Sequence, residues 1–287
     1  MTAAGVVRVS HILEHNQVYK LDPAQPYTMP TCGRFRDPRP WESGGMRYGK
    51  VTALSATFVS DAAAVGHLLP DVLRLADEPT VTVYAVMCEN VEWLAGKSYN
   101  IGAVDVGAVF DGDVDRNVEG SCCVVMWENM TEPILGGRDH SGVPKIYGSI
   151  SDFENDGRTC RTSVSHFGYP IFELSVTDLT PLDAAARADI ERAKRDAVWM
   201  NLKHFPSLEN EGADVSYIAT YPSSGTCTAA SDGRGSVRFH SSSFEQNPTQ
   251  YDVINLLAAL PIGEMRTCRL VVMEPMMALD RLPQRLR

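Results

Sequence analysis

From residue 46 onward, short runs of β-branched and small apolar residues alternate with clusters of glycine, aspartate and asparagine. VTALSATFV (51–59), VTVYAVMC (81–88), GAVDVGAVF (102–110), GSCCVVMW (120–127), FELSVT (172–177), VSYIATYP (215–222), GSVRFH (235–240) and CRLVVME (268–274) have the length and composition of strands. Their polar boundaries suit antiparallel neighbours joined by turns. Two stretches carry helical character. SDAAAVGHLLPDVLRLAD (60–77) has Ser60 as a candidate N-cap, and Gly66 and Pro70 keep it short or break it. TPLDAAARADIERAKRDAVWMNL (180–202) opens on Thr180 and Pro181 and combines alanine with charges four residues apart. Strands outnumber helices and do not alternate with them, which argues against a doubly wound parallel sheet. The pattern predicts an α+β fold, mostly antiparallel β, with a few flanking helices.

Residues 1–45 differ. They are polar, carry Pro23, Pro26, Pro30, Pro38 and Pro40, and read as an extended arm ahead of a folded domain at 46–287. The chain of 287 residues is 44% hydrophobic, enough for one large core or two smaller ones, and its 22% charged content is that of an ordinary globular protein. A net charge of −10 disfavours a nucleic-acid partner and adsorption to an anionic membrane. The opening MTAAGVVRVSHILEH lacks the pattern of a secretory signal, and no run of about eighteen apolar residues marks a membrane span. The seven cysteines form no CxxC pair and several sit in apolar runs, so they read as small core residues in a reducing cytoplasm.

Most short motifs carry little chemistry. HILEH (11–15) matches a zinc pattern but has little room for the helix that would put both imidazoles on one face. DGDVDRN (111–117) begins like a calcium loop, yet Arg116 and Cys122 stand where glycine and glutamate belong, so it reads as an acidic hairpin turn. HSSS (240–243) offers hydroxyls without an assignable third group. His67 and His166 read as packing residues. No GxSxG elbow, P-loop or GxGxxG signature is present, and neither a metal nor a cofactor is expected.

Lys145 is the exception. The chain has only six lysines, and this one stands in GVPKIY between apolar neighbours. An amine attacks a carbonyl in its neutral form, which burial or a nearby cation favours. Val143, Pro144 and Ile146 supply apolar company, and Arg138 lies nearby in sequence.

The wider segment EPILGGRDHSGVPKIYG (132–148) resembles the active-site segment of the acetoacetate decarboxylase superfamily, in which an EP-I element, G-R-E/D and P-K follow in order and the lysine forms a Schiff base. GGMRYGKVTALSATFVSD (44–61), LLPDVLRLADEPTVTVYAVM (68–87), NLKHFPS (201–207) and LAALPIGEMRTCRLVVMEP (257–275) resemble further family blocks in the same order. The resemblance implies a β-cone or barrel in a closed homo-oligomer, no cofactor, and an imine on Lys145. The sequence also departs from the family. Ile146 replaces a second lysine, Tyr84 and Ile101 stand at or near the positions of two pocket glutamates, and Val51 stands near that of an arginine. No carboxylate or cation is therefore expected at those places, although Glu89 and Glu92 lie close in sequence and can enter by a loop.

Lys145 and Tyr84 are the catalytic candidates; Arg138, Tyr99, Glu89 and Glu92 are the substrate-binding candidates. Tyr84 can equally be a core aromatic, and Arg138 a structural partner within its turn. The expected chemistry is that of a lysine-imine aldolase, retro-aldolase or aldol-dehydratase acting on a keto acid or related carbonyl compound. Decarboxylation of a β-keto acid is the alternative outcome of the same imine, and a non-catalytic small-molecule-binding protein on the same fold is the second alternative.

Overall fold

The computed structural model describes residues 45–209, 211–274, 276–278 and 283–287. The arm, through residue 44 and including HILEH, lies outside them. In chain order the strands are β1 (Gly45–Val59), β2 (Leu73–Leu75), β3 (Thr80–Val91), β4 (Lys97–Phe110), β5 (Val118–Glu128), β6 (Lys145–Tyr147), β7 (Ser149–Ile150) and β8 (Glu154–Asn155). They continue with β9 (Cys160–His166), β10 (Tyr169–Pro181), β11 (Trp199–Pro206), β12 (Ala213–Thr220), β13 (Thr226–Phe239), β14 (Met265–Glu274), β15 (Met276–Ala278) and β16 (Gln284–Arg285). The helices are α1 (Ala62–Gly66), α2 (Thr131–Ser141), α3 (Ala184–Asp196) and α4 (Tyr251–Ala258), with a 3-10 turn at Glu92–Leu94.

The strands form one sheet in the order β16-β12-β11-β5-β4-β3-β1-β14-β13-β10-β9-β7. Every neighbouring pair in that order is antiparallel except β11 with β5, and β6 adds a second parallel pairing at the other end of β5. All eight runs marked by the hydrophobic pattern fall on strands, and 111–117 is the β4–β5 connection. Among the described residues no helix is long and apolar enough to cross a membrane.

The helix boundaries differ from the sequence reading because aspartates cap them. Asp61 accepts from the Ala64 amide at 2.9 Å and starts α1, while Ser60 is occupied in donating to the Pro261 carbonyl. Asp183 accepts from the Ala186 amide at 2.8 Å and starts α3, so Thr180 and Pro181 remain in β10. A carboxylate at the N-cap both accepts an orphan amide and complements the helix dipole. Trp199–Leu202, expected as the end of this helix, instead begins β11.

Strand alternation places two sets of side chains on opposite faces of the central strands. Val81, Val83 and Ala85 of β3, Val104, Val106 and Ala108 of β4, and Cys122, Val125 and Trp127 of β5 enter the main core with Leu54, Phe58 and Phe172. The opposite face carries Cys88, Tyr99, Ala103, Cys123 and Met126 in two smaller apolar clusters. A register irregularity in β5, between the pairings of Val104 with Val125 and Asp105 with Cys123, keeps both faces apolar. Trp127 anchors the core side; its indole N–H donates to Gln250 Oε1 at 2.8 Å, immediately before α4.

Gly102 of β4 lies where the sheet meets the main core. A Cβ there would collide with Val164 Cγ2 and lie 3.2 Å from Phe172. Gly102→Ala is expected to cost about 1–3 kcal/mol through overpacking. Chemical denaturation should show a lower midpoint with an unchanged slope; an unchanged midpoint would contradict this packing.

Candidate active site

The segment around Lys145 is a tight strand–helix–strand unit. β5 ends at Glu128, α2 follows, and the chain returns as β6 parallel to β5 with Lys145 opposite Met126. α2 ends in an αL cap. Gly142 has φ 71°, its amide donates to the Arg138 carbonyl at 3.0 Å, and the Val143 amide donates to that of Gly137 at 3.2 Å. That reversal brings Pro144 against β5, where its carbonyl accepts from the Met126 amide at 3.0 Å. Lys145 then lies back along α2, and its Nζ donates to the Pro133 carbonyl at 3.0 Å. Gly137 makes this possible, since a Cβ there would collide with Lys145 Cε and lie 2.7 Å from Nζ.

The ammonium meets a carboxylate that the sequence reading did not find. Lys145 Nζ lies 2.7 Å from Glu128 Oε1, with side-chain exposures of 12% and 0%. The contact is an ion pair without the alignment of a hydrogen bond, and neither carboxylate oxygen has a hydrogen-bond partner among the described residues. Burial raises the Glu128 carboxyl above its usual range, with the Lys145 charge acting in the opposite direction. Glu128 stands directly across from Ile101 in the β4–β5 register. A carboxylate thus faces the very position on β4 that lacks one.

An aromatic wall adjoins the pair. Tyr99 lies in an apolar cluster with Cys88, Val91 and Leu94, against which Tyr48, Trp93 and Met130 pack. The Tyr48 and Tyr99 hydroxyls are 3.5 Å apart, and the Trp93 indole N–H donates to Tyr48 at 3.4 Å. Burial pushes Tyr48 up to about 12 and the Cys88 thiol up to about 12, and it drives Tyr99 well above the phenol range; Glu128 adds to each rise. These groups are neutral near pH 7 and able to donate a hydrogen bond.

Tyr84 belongs to an adjoining cluster. Its hydroxyl donates to Asp105 Oδ1 at 3.1 Å, and the Trp199 indole N–H donates to Asp105 Oδ2 at 2.9 Å. Arg138, in the last turn of α2, donates to the Lys145 carbonyl oxygen at 3.2 Å; the GRD sequence is thus helical. Glu89 is ion-paired with Lys50 at 3.0 Å, and Glu92 is exposed and accepts from the Arg47 amide at 3.3 Å. The structure therefore brings Lys145 and Tyr99 into one neighbourhood with Glu128, sets Tyr84 and Arg138 beside it, and engages Glu89 and Glu92 elsewhere. Among the described residues no cluster of three or more His, Cys, Asp or Glu residues is arranged to hold a metal ion.

Comparison with known proteins follows this geometry. The family described as Acetoacetate decarboxylase (ADC) matches residues 26–274, and the chain belongs to that family. The match begins at residue 26, within the segment read as an arm. No curated protein matches the chain. Acetoacetate decarboxylase from Legionella pneumophila is a similar solved structure, with TM-score 0.68 and 15% identity over 100% of this chain and 98% of that one. An acetoacetate decarboxylase-like enzyme from Sphingomonas wittichii gives 0.64 and 18% over 92% and 99%. The enduracididine biosynthesis enzyme MppR, complexed with pyruvate, gives 0.59 and 15% over 85% and 91%. The mostly antiparallel fold with flanking helices is the fold of these proteins.

Gly137→Ala should move the flexible end of Lys145 and leave the backbone in place, since alanine favours a helix interior by about 1 kcal/mol over glycine. Circular dichroism is expected to stay the same while labelling of Lys145 by carbonyl compounds falls at least tenfold; wild-type labelling would contradict the close approach.

A second test concerns Asp105, whose carboxyl burial pushes up to about 6 from an ordinary 3.8. The folded state then binds more protons than the unfolded chain between those values, so this group's contribution to stability falls as pH rises through that window. Asp105→Asn should therefore gain stability relative to wild type between pH 4 and 6, by on the order of 2–3 kcal/mol. Paired thermal melts across that range check it, and a pH-independent difference would refute it.

Proposed function

We propose that this protein is a lyase that forms a Schiff base between Lys145 and a keto acid or related carbonyl compound, and makes or breaks a carbon–carbon bond by aldol, retro-aldol or aldol-dehydration chemistry. The observation that carries the reading is the buried contact of Lys145 with Glu128 beneath neutral phenols. In a dry site, moving one proton from the ammonium to the carboxylate yields a nucleophilic amine without exchange with water. The raised Glu128 carboxyl favours that transfer.

The amine adds to the carbonyl and the oxygen takes the nitrogen's proton, giving a neutral carbinolamine. Protonated Glu128 then donates to the hydroxyl, water leaves, and an iminium faces a carboxylate again. Electrons of the adjacent C–H or C–C bond flow into the iminium, giving an enamine that accepts a proton or attacks an aldehyde. Glu128 and Tyr99 supply the acid–base groups for these steps. The wall of Val51, Val86, Ile101 and Met130 limits water that would hydrolyse the imine.

Decarboxylation of a β-keto acid is the second reading. It uses the same iminium, and membership of the family described as Acetoacetate decarboxylase supports it. A reducing, cytoplasmic setting and assembly into a homo-oligomer belong to the same proposal; the six described cysteines are buried free thiols, which supports the first of these.

Borohydride trapping with pyruvate and acetoacetate offered separately, read by peptide mapping, tests the proposal. The expected result is a reduced adduct on Lys145 that is absent in Lys145→Ala and forms roughly a hundredfold more slowly in Glu128→Gln. Carbon dioxide release from acetoacetate would select the decarboxylase reading, and trapping with pyruvate alone the aldol reading. No adduct with either compound would contradict both and leave a binding protein.

A further inference from the structure

The Glu128 carboxylate meets Lys145 without a hydrogen bond of its own among the described residues, so its direction is set by the main chain that carries it. That main chain changes course at once. β5 ends at Glu128, the chain bends at Asn129, and α2 begins at Thr131 after Met130, an N-cap that makes no side-chain hydrogen bond. The β4–β5 ladder ends on the pair Ile101–Glu128, so the next position sets Asn100 against Asn129.

At that position a side chain takes over from the backbone. In a hydrogen-bonded antiparallel pair the two residues exchange both N–H···O bonds between their main chains. Asn129 makes the first of these, its amide donating to the Asn100 carbonyl at 3.3 Å. For the second, the Asn100 amide donates to Asn129 Oδ1 at 2.8 Å in place of the Asn129 carbonyl. The carboxamide thus extends the ladder by one rung while the main chain turns out of the sheet toward α2. Asn100 is buried, and its own carboxamide binds a third segment: Nδ2 donates to Asp152 Oδ1 at 2.8 Å and to the Ile150 carbonyl at 3.3 Å. Those residues follow β6, the strand of Lys145, and on the way to them the Gly148 amide donates to the Glu128 carbonyl at 3.1 Å. Asn100 therefore joins the chain just past Glu128 to the chain just past Lys145.

We propose that Asn129 and Asn100 are positioning residues that hold the end of β5 in register so that Glu128 meets Lys145, an inference that deepens the proposed function and rests on it for the chemistry the pair performs. An acceptor on the side chain at position 129 is the feature this geometry requires. Without it the last rung opens, and Glu128, with no bond of its own to direct it, moves with the start of α2. A displacement of about 1 Å is enough to uncouple groups that must act together. Both asparagines lie outside the sequence blocks that resemble the family.

The test reads the pair without substrate. Cyanate carbamylates a neutral amine, so its rate at Lys145, followed by peptide mapping, reports the counter-charge that Glu128 provides. Glu128→Gln is expected to speed this reaction roughly tenfold in wild type and less than about threefold in Asn129→Ala. Asn129→Asp, which keeps the acceptor, should restore the wild-type response. Asn129 is exposed, so both variants should keep the wild-type circular dichroism. A Glu128 effect that persists undiminished in Asn129→Ala overturns the proposal, as does one lost equally in Asn129→Asp or absent from wild type. Borohydride trapping of the same proteins with pyruvate and acetoacetate separates the two readings. A Lys145 adduct together with an undiminished Glu128 effect in Asn129→Ala would keep the lyase and remove the positioning role. No adduct together with a Glu128 effect that depends on Asn129 would do the reverse.

Discussion

A carboxylate with no exposed surface needs a counter-charge, and the single contact between Glu128 and Lys145 supplies it. Leaving either partner alone in that environment would cost about 3–5 kcal/mol. The local architecture follows from that constraint. β5 delivers Glu128 at its last residue, α2 turns the chain back on Gly142, and β6 re-enters parallel so that Lys145 lies beside the acid. Gly137 leaves the lysine stem room against the helix, and Arg138 binds the Lys145 carbonyl from outside.

The sheet is apolar on both faces for different reasons. One face builds the main core around Trp127, Phe58 and Phe172; the other keeps small, separated clusters that enclose polar groups. Tyr84 and Trp199 both donate to Asp105, so this buried carboxylate is satisfied by hydrogen bonds where Glu128 depends on charge. Two buried acids on one face thus answer to different physics. Asp105 is a fixed acceptor that ties β3, β4 and β11 together, whereas the Glu128 oxygens have no hydrogen-bond partner among the described residues.

The strands were legible because their alternation and turn-rich boundaries are local properties, and Lys145 was legible because its motif is contiguous. The helices were less so. α2 contains Pro133, Gly136 and Gly137, all poor helix formers, and forms because its C-terminal reversal and the Lys145 stem hold it. α3 was placed early because Thr180 and Pro181 imitate a start that Asp183 provides. Glu128 was missed for a deeper reason. It ends an apolar run, GSCCVVMWE, and its relevance depends on the β4–β5 register that sets it opposite Ile101. The sequence reading looked for acids at Tyr84 and Ile101 and found none; the acid stands one strand away.

The most direct measurement is the titration of the Glu128 carboxyl itself, followed by carbon-13 NMR of protein labelled at glutamate side-chain carboxyls, with Glu128→Gln for assignment. The account predicts a midpoint above the ordinary glutamate range, because burial outweighs the lysine charge, and a further rise in Lys145→Ala, because the opposing charge is gone. A midpoint in the ordinary range that does not respond to Lys145→Ala would contradict a buried, proton-sharing pair.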